Sequence, residues 1–233
     1  MSQSAVINLK LKTPCVFNHL NPLESMIVGV KAGGSELASA SIRPIIEEFV
    51  KFENDVPCIS MPCPNPYEDK KLYRKTVTIY SSPSNIIKNS TLLPDFDKHS
   101  KTMKSAGDKN NSTNHHFLEA DSISIYMTGD VDRFFSFIMS VGAIGAHVTK
   151  GYGMIDQGMT EDPVIIDTND PIGIVNDRGE LVRPIPVAMA DEMGLAYSKQ
   201  FGRWTIPFRP DLIKQMCLKN EIYAYPRLFL KYR

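Results

Sequence analysis

The chain has 233 residues, of which 42% are hydrophobic and 22% charged, a composition that fits a packed globular protein and excludes a fibrous or wholly disordered one. Its formal net charge is zero, with 26 basic and 26 acidic side chains, which disfavours diffuse, non-specific binding to polyanions. No apolar run approaches the roughly 20 residues that a membrane span needs, and the N-terminus lacks a secretion signal, so we expect a cytoplasmic protein.

The N-terminal part predicts a strand and then two helices. AVINLKLKTPCVF alternates apolar and polar residues with period two, as a half-buried strand does. In NPLESMIVGVK, Asn21 can cap a short helix that has Pro22 at its first position and ends at Gly33 and Gly34. SIRPIIEEFVKFE then carries apolar residues at helical spacing. The proline-dense VPCISMPCPNPYE excludes a helix and predicts a loop with at most a short edge strand.

The middle of the chain predicts a strand, a polar insertion and a strand–helix unit. KKLYRKTVTIYSS is rich in β-branched and aromatic residues and predicts a strand, whereas residues 95–116 have few apolar residues and predict a mobile loop. ADSISIYMTG predicts the next strand, and the helix after it should end near Gly145. Its apolar stripe comprises Phe134, Phe137, Ile138 and Val141.

The last third predicts mostly extended chain with one short helix. AHVTKGYGMI resumes an extended conformation, and GIVNDRGELVRPIPV predicts a hairpin that turns at residues 176–179. The tail should add a strand, a short helix and a basic aromatic end.

The order of these elements, β-α and then β-β-α-β, is that of a ferredoxin-like fold. We therefore predict an α+β protein with a ferredoxin-like (RRM-type) core, a basic insertion over about residues 85–117 and a C-terminal β/α extension over about 157–233, all in a single domain, 1–233. The RNP aromatic sequence of an ordinary RRM is not present, so only the topology is shared.

Charge is distributed unevenly along the chain. Residues 70–109 hold nine Lys and Arg against three Asp and Glu, residues 199–233 hold eight against two, and residues 156–192 hold two against nine. Each block could be an ordinary solvated surface, but phosphate contacts also require clustered basic side chains. A neutral chain is therefore compatible with an RNA partner.

The residue types that bind metals or cofactors in other proteins do not occur here at the spacings that such sites require. The four cysteines are Cys15, Cys58, Cys63 and Cys217. They form no CxxC pair, so we expect reduced thiols. His115 and His116 have no Cys or carboxylate at a ligand spacing, and no P-loop or G-x-S-x-G elbow occurs. We predict no metal, no cofactor and no catalytic residue.

The sequence Lys150-Gly151-Tyr152-Gly153-Met154 follows the last predicted helix directly. Glycines on both sides of an aromatic residue let the backbone approach a ligand, and Lys150 adds a positive charge, so the segment could hold a phosphate. A tight turn or bulge between strands would explain the same glycines without a ligand.

These segments resemble a known family. The strand SISIYMTG, the helix DVDRFFSFIMSVGAIGA and the loop HVTKGYGMI resemble the last strand, helix and glycine-rich loop of RAMP proteins, the RNA-binding family of CRISPR systems. LKTPCVFNHLNPLESMIVG resembles the first strand and helix of the RAMP subgroup found in type IV effectors, which is related to the Cas-five subunits. The resemblance covers nearly the whole chain loosely and these stretches well.

The resemblance implies a non-catalytic RNA-binding subunit of a type IV CRISPR ribonucleoprotein, which serves antiviral defense in a prokaryotic cytoplasm. Such a subunit binds the 5′ handle of the guide RNA (crRNA) and docks the backbone and large subunits, with target DNA as a further partner. Gly151, Tyr152 and Gly153 match the glycine-rich loop and would lie against the RNA backbone, and Lys150 would contact a phosphate. No cofactor, metal or membrane is implied.

Two further groups of residues could contact RNA because of their type and position. The first group comprises Lys70, Lys71, Tyr73, Arg74 and Lys75, with Tyr80 nearby. The second comprises Arg203, Trp204 and Arg209. Aromatic rings stack on the bases of single-stranded RNA, and basic side chains contact its phosphates. Half-buried tyrosines, solvated lysines and a core tryptophan are the alternative explanation.

Two other functions remain open. His19, just after the first strand, could be the general base of a RAMP endoribonuclease that processes guide-RNA precursor, with Lys150 or Tyr152 stabilising the developing charge. A capping or surface histidine would explain His19 equally simply. An assembly protein without direct RNA contact would instead use the acidic residues of 156–192 as its docking face.

Overall fold

A computed structural model describes residues 2–15, 22–31, 42–65, 74–81, 111–118, 120–145, 148, 151–202 and 221–227. The strands are β1 (Gln3–Lys10), β2 (Phe52–Glu53), β3 (Val56–Pro57), β4 (Cys63–Asn65), β5 (Arg74–Ser81), β6 (Asn111–Leu118), β7 (Ser122–Gly129), β8 (Val164–Ile165), β9 (Ile185–Pro186), β10 (Tyr197–Gly202) and β11 (Glu221–Pro226). The helices are α1 (Pro22–Lys31), α2 (Ile42–Glu47), α3 (Val131–Val141) and α4 (Val187–Glu192). Within these ranges the protein is α+β, as predicted, and its strand pairs are antiparallel where the pairing is resolved.

The largest sheet has four strands in the order β4-β7-β1-β8. β1 and β7 pair along their whole length, from Gln3 opposite Gly129 to Lys10 opposite Ser122. Both strands alternate apolar with polar residues, so one face of the pair is apolar. On β1 this face presents Ala5, Ile7 and Leu9, each fully buried.

The helices α1, α2 and α3 pack on that apolar face. Their contacts with it form one core cluster that includes Leu23 and Ile27 of α1, Ile46 of α2, and Phe134 and Ile138 of α3. Gly129, at the end of β7, allows the chain after α2 to pass closely, because a Cβ there would lie 2.1 Å from the carbonyl oxygen of Phe49. The core therefore depends on close backbone contact as well as on apolar side chains.

The helix α3 has a clear start and a clear end. The side chain of Asp130 accepts a hydrogen bond from the Arg133 amide (3.1 Å), which caps the first turn. Gly142 ends the helix in the left-handed conformation, with φ +69°. Its amide donates a hydrogen bond to the Ile138 carbonyl. The predicted helix is confirmed, but it ends before Gly145.

The C-terminal part of the chain packs against the β4 side of this sheet. It contains the three-stranded sheet β10-β11-β9 and the helix α4. Tyr126 of β7 packs with Cys63, Val182, Tyr223 and Tyr225 in one cluster. The Thr128 hydroxyl also donates to the Ile172 carbonyl at 2.9 Å. The polar face of β7 is therefore covered.

A buried ion pair connects this C-terminal part to α1. The Arg183 guanidinium lies 2.9 Å from the Glu24 carboxylate, and the two side chains are 6% and 4% exposed. The same guanidinium donates to the carbonyl oxygens of Pro57 and Ile59. One buried cation thus joins α1, the chain before β4 and the segment before β9.

Residues Lys75–Phe117 form a second compact unit. It is built on the two-stranded sheet of β5 and β6. β5 confirms the strand predicted from KKLYRKTVTIYSS. β6 contradicts part of the mobile loop predicted for residues 95–116, because the chain is a strand from Asn111. The polar side chains of β6 gave no period-two signal, whereas its backbone pairs with β5.

Several predictions of single elements are confirmed and others need correction. The structure contains the predicted β1, α1 and β7. It also contains the predicted turn at residues 176–179, where the Gly179 amide donates a hydrogen bond to the Asn176 carbonyl. The helix of SIRPIIEEFVKFE is shorter than predicted, since it ends at Glu47 and Val50 instead bridges Gly129 of β7. α4 was not predicted. The tail helix, Asn21, Gly33 and Gly34 lie outside the described residues.

In the described part of the chain, no helix combines the length and the apolarity needed to cross a bilayer.

Removing one partner of the buried ion pair should destabilise the fold strongly. We expect Arg183→Met or Glu24→Gln to lower the free energy of unfolding by about 3–5 kcal/mol, because each leaves an uncompensated buried charge or unpaired carbonyls. Urea unfolding followed by circular dichroism measures the change. Lys51→Gln is the matched control, since the Lys51–Glu53 pair is exposed and its loss should barely move the midpoint. Equal midpoints for Arg183→Met and Lys51→Gln would contradict the assigned role.

Candidate nucleic-acid interface

The predicted glycine-rich loop lies between α3 and the edge of the four-stranded sheet. After α3, residues 142–144 pair with residues 153–155 as the chain returns. The Ile144 amide donates to the Gly153 carbonyl at 2.8 Å, and the Ile155 amide donates to the Gly142 carbonyl at 2.9 Å. These bonds hold the loop against the C-terminal end of α3.

The other side of the returning chain pairs with the end of β1. The Gly153 amide donates to the Pro14 carbonyl at 2.9 Å, and the Lys12 amide donates to the Met154 carbonyl at 2.8 Å. The Met154 amide donates to the Thr13 hydroxyl at 3.0 Å. Residues 153–155 therefore lie between two backbone segments. Among the described residues of AHVTKGYGMI, residues 151–153 form a turn and Met154 and Ile155 form bridges, so the predicted extended conformation is corrected to a turn at 151–153.

The two loop glycines have different roles. Gly153 has φ +65°, and a Cβ on it would lie 1.8 Å from the Ile144 carbonyl oxygen, so the fold itself requires glycine there. Gly151 has φ +83°, is exposed, and has no atom within 4 Å of where its Cβ would be. Tyr152, between them, is half-buried. Of the two glycines, Gly151 is therefore the one at which a ligand could reach the loop backbone.

Lys12 brings a positive charge to this loop. Its side chain is 59% exposed, and its Nζ lies 3.7 Å from Oδ1 of Asp156. Exposed ion pairs contribute about 0–1 kcal/mol, so a phosphate could replace this carboxylate at little cost. Sequence reasoning did not assign Lys12 to the site. Its alternation with Leu9 and Leu11 indicated only a strand, and nothing local shows that this strand meets residues 153–156.

The remaining predicted RNA contacts are untested by the structure. Lys70, Lys71, Tyr73, Lys150, Arg203, Trp204 and Arg209 lie outside the described residues, as does His19. Arg74 and Lys75 are the first residues of β5, which also contains Tyr80, and the structure describes the backbone there. These residues stay predictions from the sequence.

The polar face of the large sheet differs from an open stacking surface. Ser124 and Thr128 of β7 are buried, and burial raises the pKa of Tyr126 to about 12, with the nearby Asp177 carboxylate adding to the effect. Bases stack on aromatic rings that solvent can reach. The glycine-rich loop is therefore a better candidate for RNA contact than the β7 part of this face.

The described cysteines have no features of a reactive site. Cys15, Cys58 and Cys63 are buried and carry no disulfide, as predicted, whereas Cys217 lies outside the described residues. Burial raises the pKa of Cys15 and Cys63 to about 12 and that of Cys58 to about 11. Such thiols are weak nucleophiles at neutral pH. Within the described ranges, no three His, Cys, Asp or Glu side chains converge on a potential metal position.

Comparison with known proteins gives no match, either to a protein-family model or to a curated protein sequence.

Proposed function

We propose that the chain is a non-catalytic, RNA-binding RAMP subunit of a type IV CRISPR ribonucleoprotein. In this role it binds the 5′ handle of the guide RNA and docks the backbone and large subunits. The protein positions the RNA backbone, and base pairing of the guide reads the target sequence.

The connections of the four-stranded sheet support a ferredoxin-like core. In such a core the first and third strands lie side by side at the centre, the second and fourth lie at the edges, and both helical connections cover one face. β1 and β7 occupy the centre, while β4 and β8 lie at the edges. α1 and α2 follow β1, α3 follows β7, and all three pack on one face.

The exposure of Gly151 is the observation that carries the RNA-binding proposal. This glycine lies between α3 and the returning edge strand, with φ +83° and open space around it. The Gly151 amide already donates to the Val148 carbonyl at 2.9 Å. The open space beside its Cα instead lets a phosphate approach the loop closely. Lys12 lies just beyond the end of β1, and among the described residues its exposed ammonium group pairs with the half-buried Asp156 carboxylate. Together they would bind a phosphate of the handle, and the basic residues at 70–75 and 203–209 stay predictions of further RNA contacts from the sequence.

The first experiment separates RNA binding from RNA cleavage. The purified chain is incubated with a labelled CRISPR repeat RNA without metal ions, and a gel reports both retention and strand scission. We expect retention without scission. Site-specific scission that His19→Ala abolishes would instead identify a processing endoribonuclease. If the RNA is neither retained nor cut, an assembly role without direct RNA contact is favoured.

Two substitutions at Gly151 that differ only in charge test whether the loop contacts RNA. Asn and Asp have similar size and both tolerate the left-handed conformation, so Gly151→Asn and Gly151→Asp should fold alike. We expect Gly151→Asp to weaken RNA binding by about tenfold relative to Gly151→Asn, because its carboxylate repels a phosphate. Filter binding at fixed salt measures both. Lys150→Ala should weaken binding too, and equal affinities of the Asn and Asp variants would remove the loop from the interface.

Lys12 and Asp156 should affect RNA affinity in opposite directions. Lys12→Gln removes a cation from the loop and should flatten the slope of log affinity against log salt by about 0.7, the value for one phosphate on a single strand. Asp156→Asn frees Lys12 and should raise affinity by up to about fivefold, the equivalent of an exposed ion pair. Salt titrations of both variants test this. Changes of the same sign would show that Lys12 does not contact RNA.

A further inference from the structure

A second surface lies at the opposite end of β1 from the glycine-rich loop. There, a cleft of about 400 Å³ separates α3 from the edge strand β8. Asp132 and Phe135 of α3 line one side of the cleft, and Asp162 and Ile165 line the other. The cleft thus has one large apolar side chain and one carboxylate on each side.

The backbone of β8 presents hydrogen-bonding groups at this cleft. Among the described strands, β8 pairs only with β1, and the Ile166 amide donates to the Ser4 carbonyl at 2.8 Å. Antiparallel pairs alternate between bonded and non-bonded positions, so Ile165, opposite Ala5, directs its own N–H and C=O away from β1. Its side chain lies on the face covered by the helices, as that of Ala5 does, yet it is 51% exposed. This edge can therefore accept another strand.

The charge around the cleft restricts what can bind. From residue 151 to residue 177 the chain has six carboxylates and no Lys or Arg. Neither Asp132 nor Asp162 forms an ion pair with any described basic side chain. Such a rim repels RNA and attracts a cationic partner.

We propose that this cleft binds an extended, basic segment of a protein partner. The segment pairs with the exposed backbone of Ile165 and places one aliphatic side chain against Phe135 and Ile165. Alternate residues of a strand share a face, so the residues two before and two after this anchor face Asp132 and Asp162. The partner sequence therefore reads basic, any residue, aliphatic, any residue, basic.

This surface is separate from the proposed RNA contact. Nine residue steps along β1 and its extension separate Gln3, at the cleft, from Lys12, at the loop, which is about 30 Å of extended chain. The two ends also differ in charge. The inference rests on the geometry of β8 and α3 and stands whether or not the chain binds RNA.

The experiment uses a defined peptide as a probe, with the full chain and without RNA. Fluorescein-labelled Thr-Lys-Thr-Ile-Thr-Lys-Thr is titrated with the protein, and fluorescence anisotropy reports binding. Matched peptides replace both Lys by Glu, or Ile by Thr. We expect the Lys-Ile peptide to bind at least about tenfold more tightly than either matched peptide, because only it complements both the two carboxylates and the side chains of Phe135 and Ile165.

Three variants connect the binding to the cleft. Ile165→Pro removes the outward N–H without removing a hydrogen bond to β1, and Asp132→Asn with Asp162→Asn removes the rim charge at constant size. We expect each change to weaken binding of the Lys-Ile peptide by about tenfold or more. Glu192 is an exposed residue of α4 outside the lining of the cleft, so Glu192→Gln should leave the affinity for the peptide unchanged. Circular dichroism verifies that all variants are folded.

Two results would overturn the inference. One is a Lys-Ile peptide that binds no better than its matched peptides, or that binds Ile165→Pro as well as the unchanged protein. The other is a dimer of the chain alone, seen by sedimentation, that Ile165→Pro dissociates, because the edge would then serve self-association. Failure of the RNA experiments would change neither readout, so the two proposals fail separately.

Discussion

The antiparallel ladder between β1 and β7 fixes the positions of both candidate surfaces. β1 is bonded to β7 along one side, which leaves its other side to the chain that returns from Gly153 to Ile165. Since Ala5, Ile7 and Leu9 are fully buried, a slip of one residue would turn all three to the opposite face. Burial thus sets the register of the ladder, and the register places the glycine-rich loop at one end of β1 and the acidic cleft at the other.

The buried Arg183 determines which face of the large sheet is covered. It holds the C-terminal part of the chain against α1 and the segment before β4, so that Ser124 and Thr128 of β7 are covered. A sheet with this face covered differs from that of an RRM, whose aromatic residues lie on an open sheet. Among the described residues, both candidate surfaces lie at the edge beyond β1.

Sequence patterns predicted the elements whose signals are local. The alternation in β1 and β7 and the apolar stripe of α3 depend on neighbouring residues, and each led to the observed element. What depends on distant partners was missed. Val50 was predicted in a helix but forms a bridge to Gly129. Lys12 reaches the glycine-rich loop through backbone pairing that no local pattern shows. The acidic cleft appeared in the sequence only as an excess of carboxylates, because β8 contributes just two residues.

The chain between the two surfaces does not follow β1 evenly. Five residue steps separate Leu11 from Val6, whereas nine separate their partners Ile155 and Val164. The extra residues form a turn in which the Thr160 hydroxyl bonds the Asp156 carbonyl and accepts from the Lys10 amide. Pairing on either side of the turn is set independently by β1. The turn is therefore a place where evolution can lengthen or shorten the chain while both ends of the edge keep their alignment.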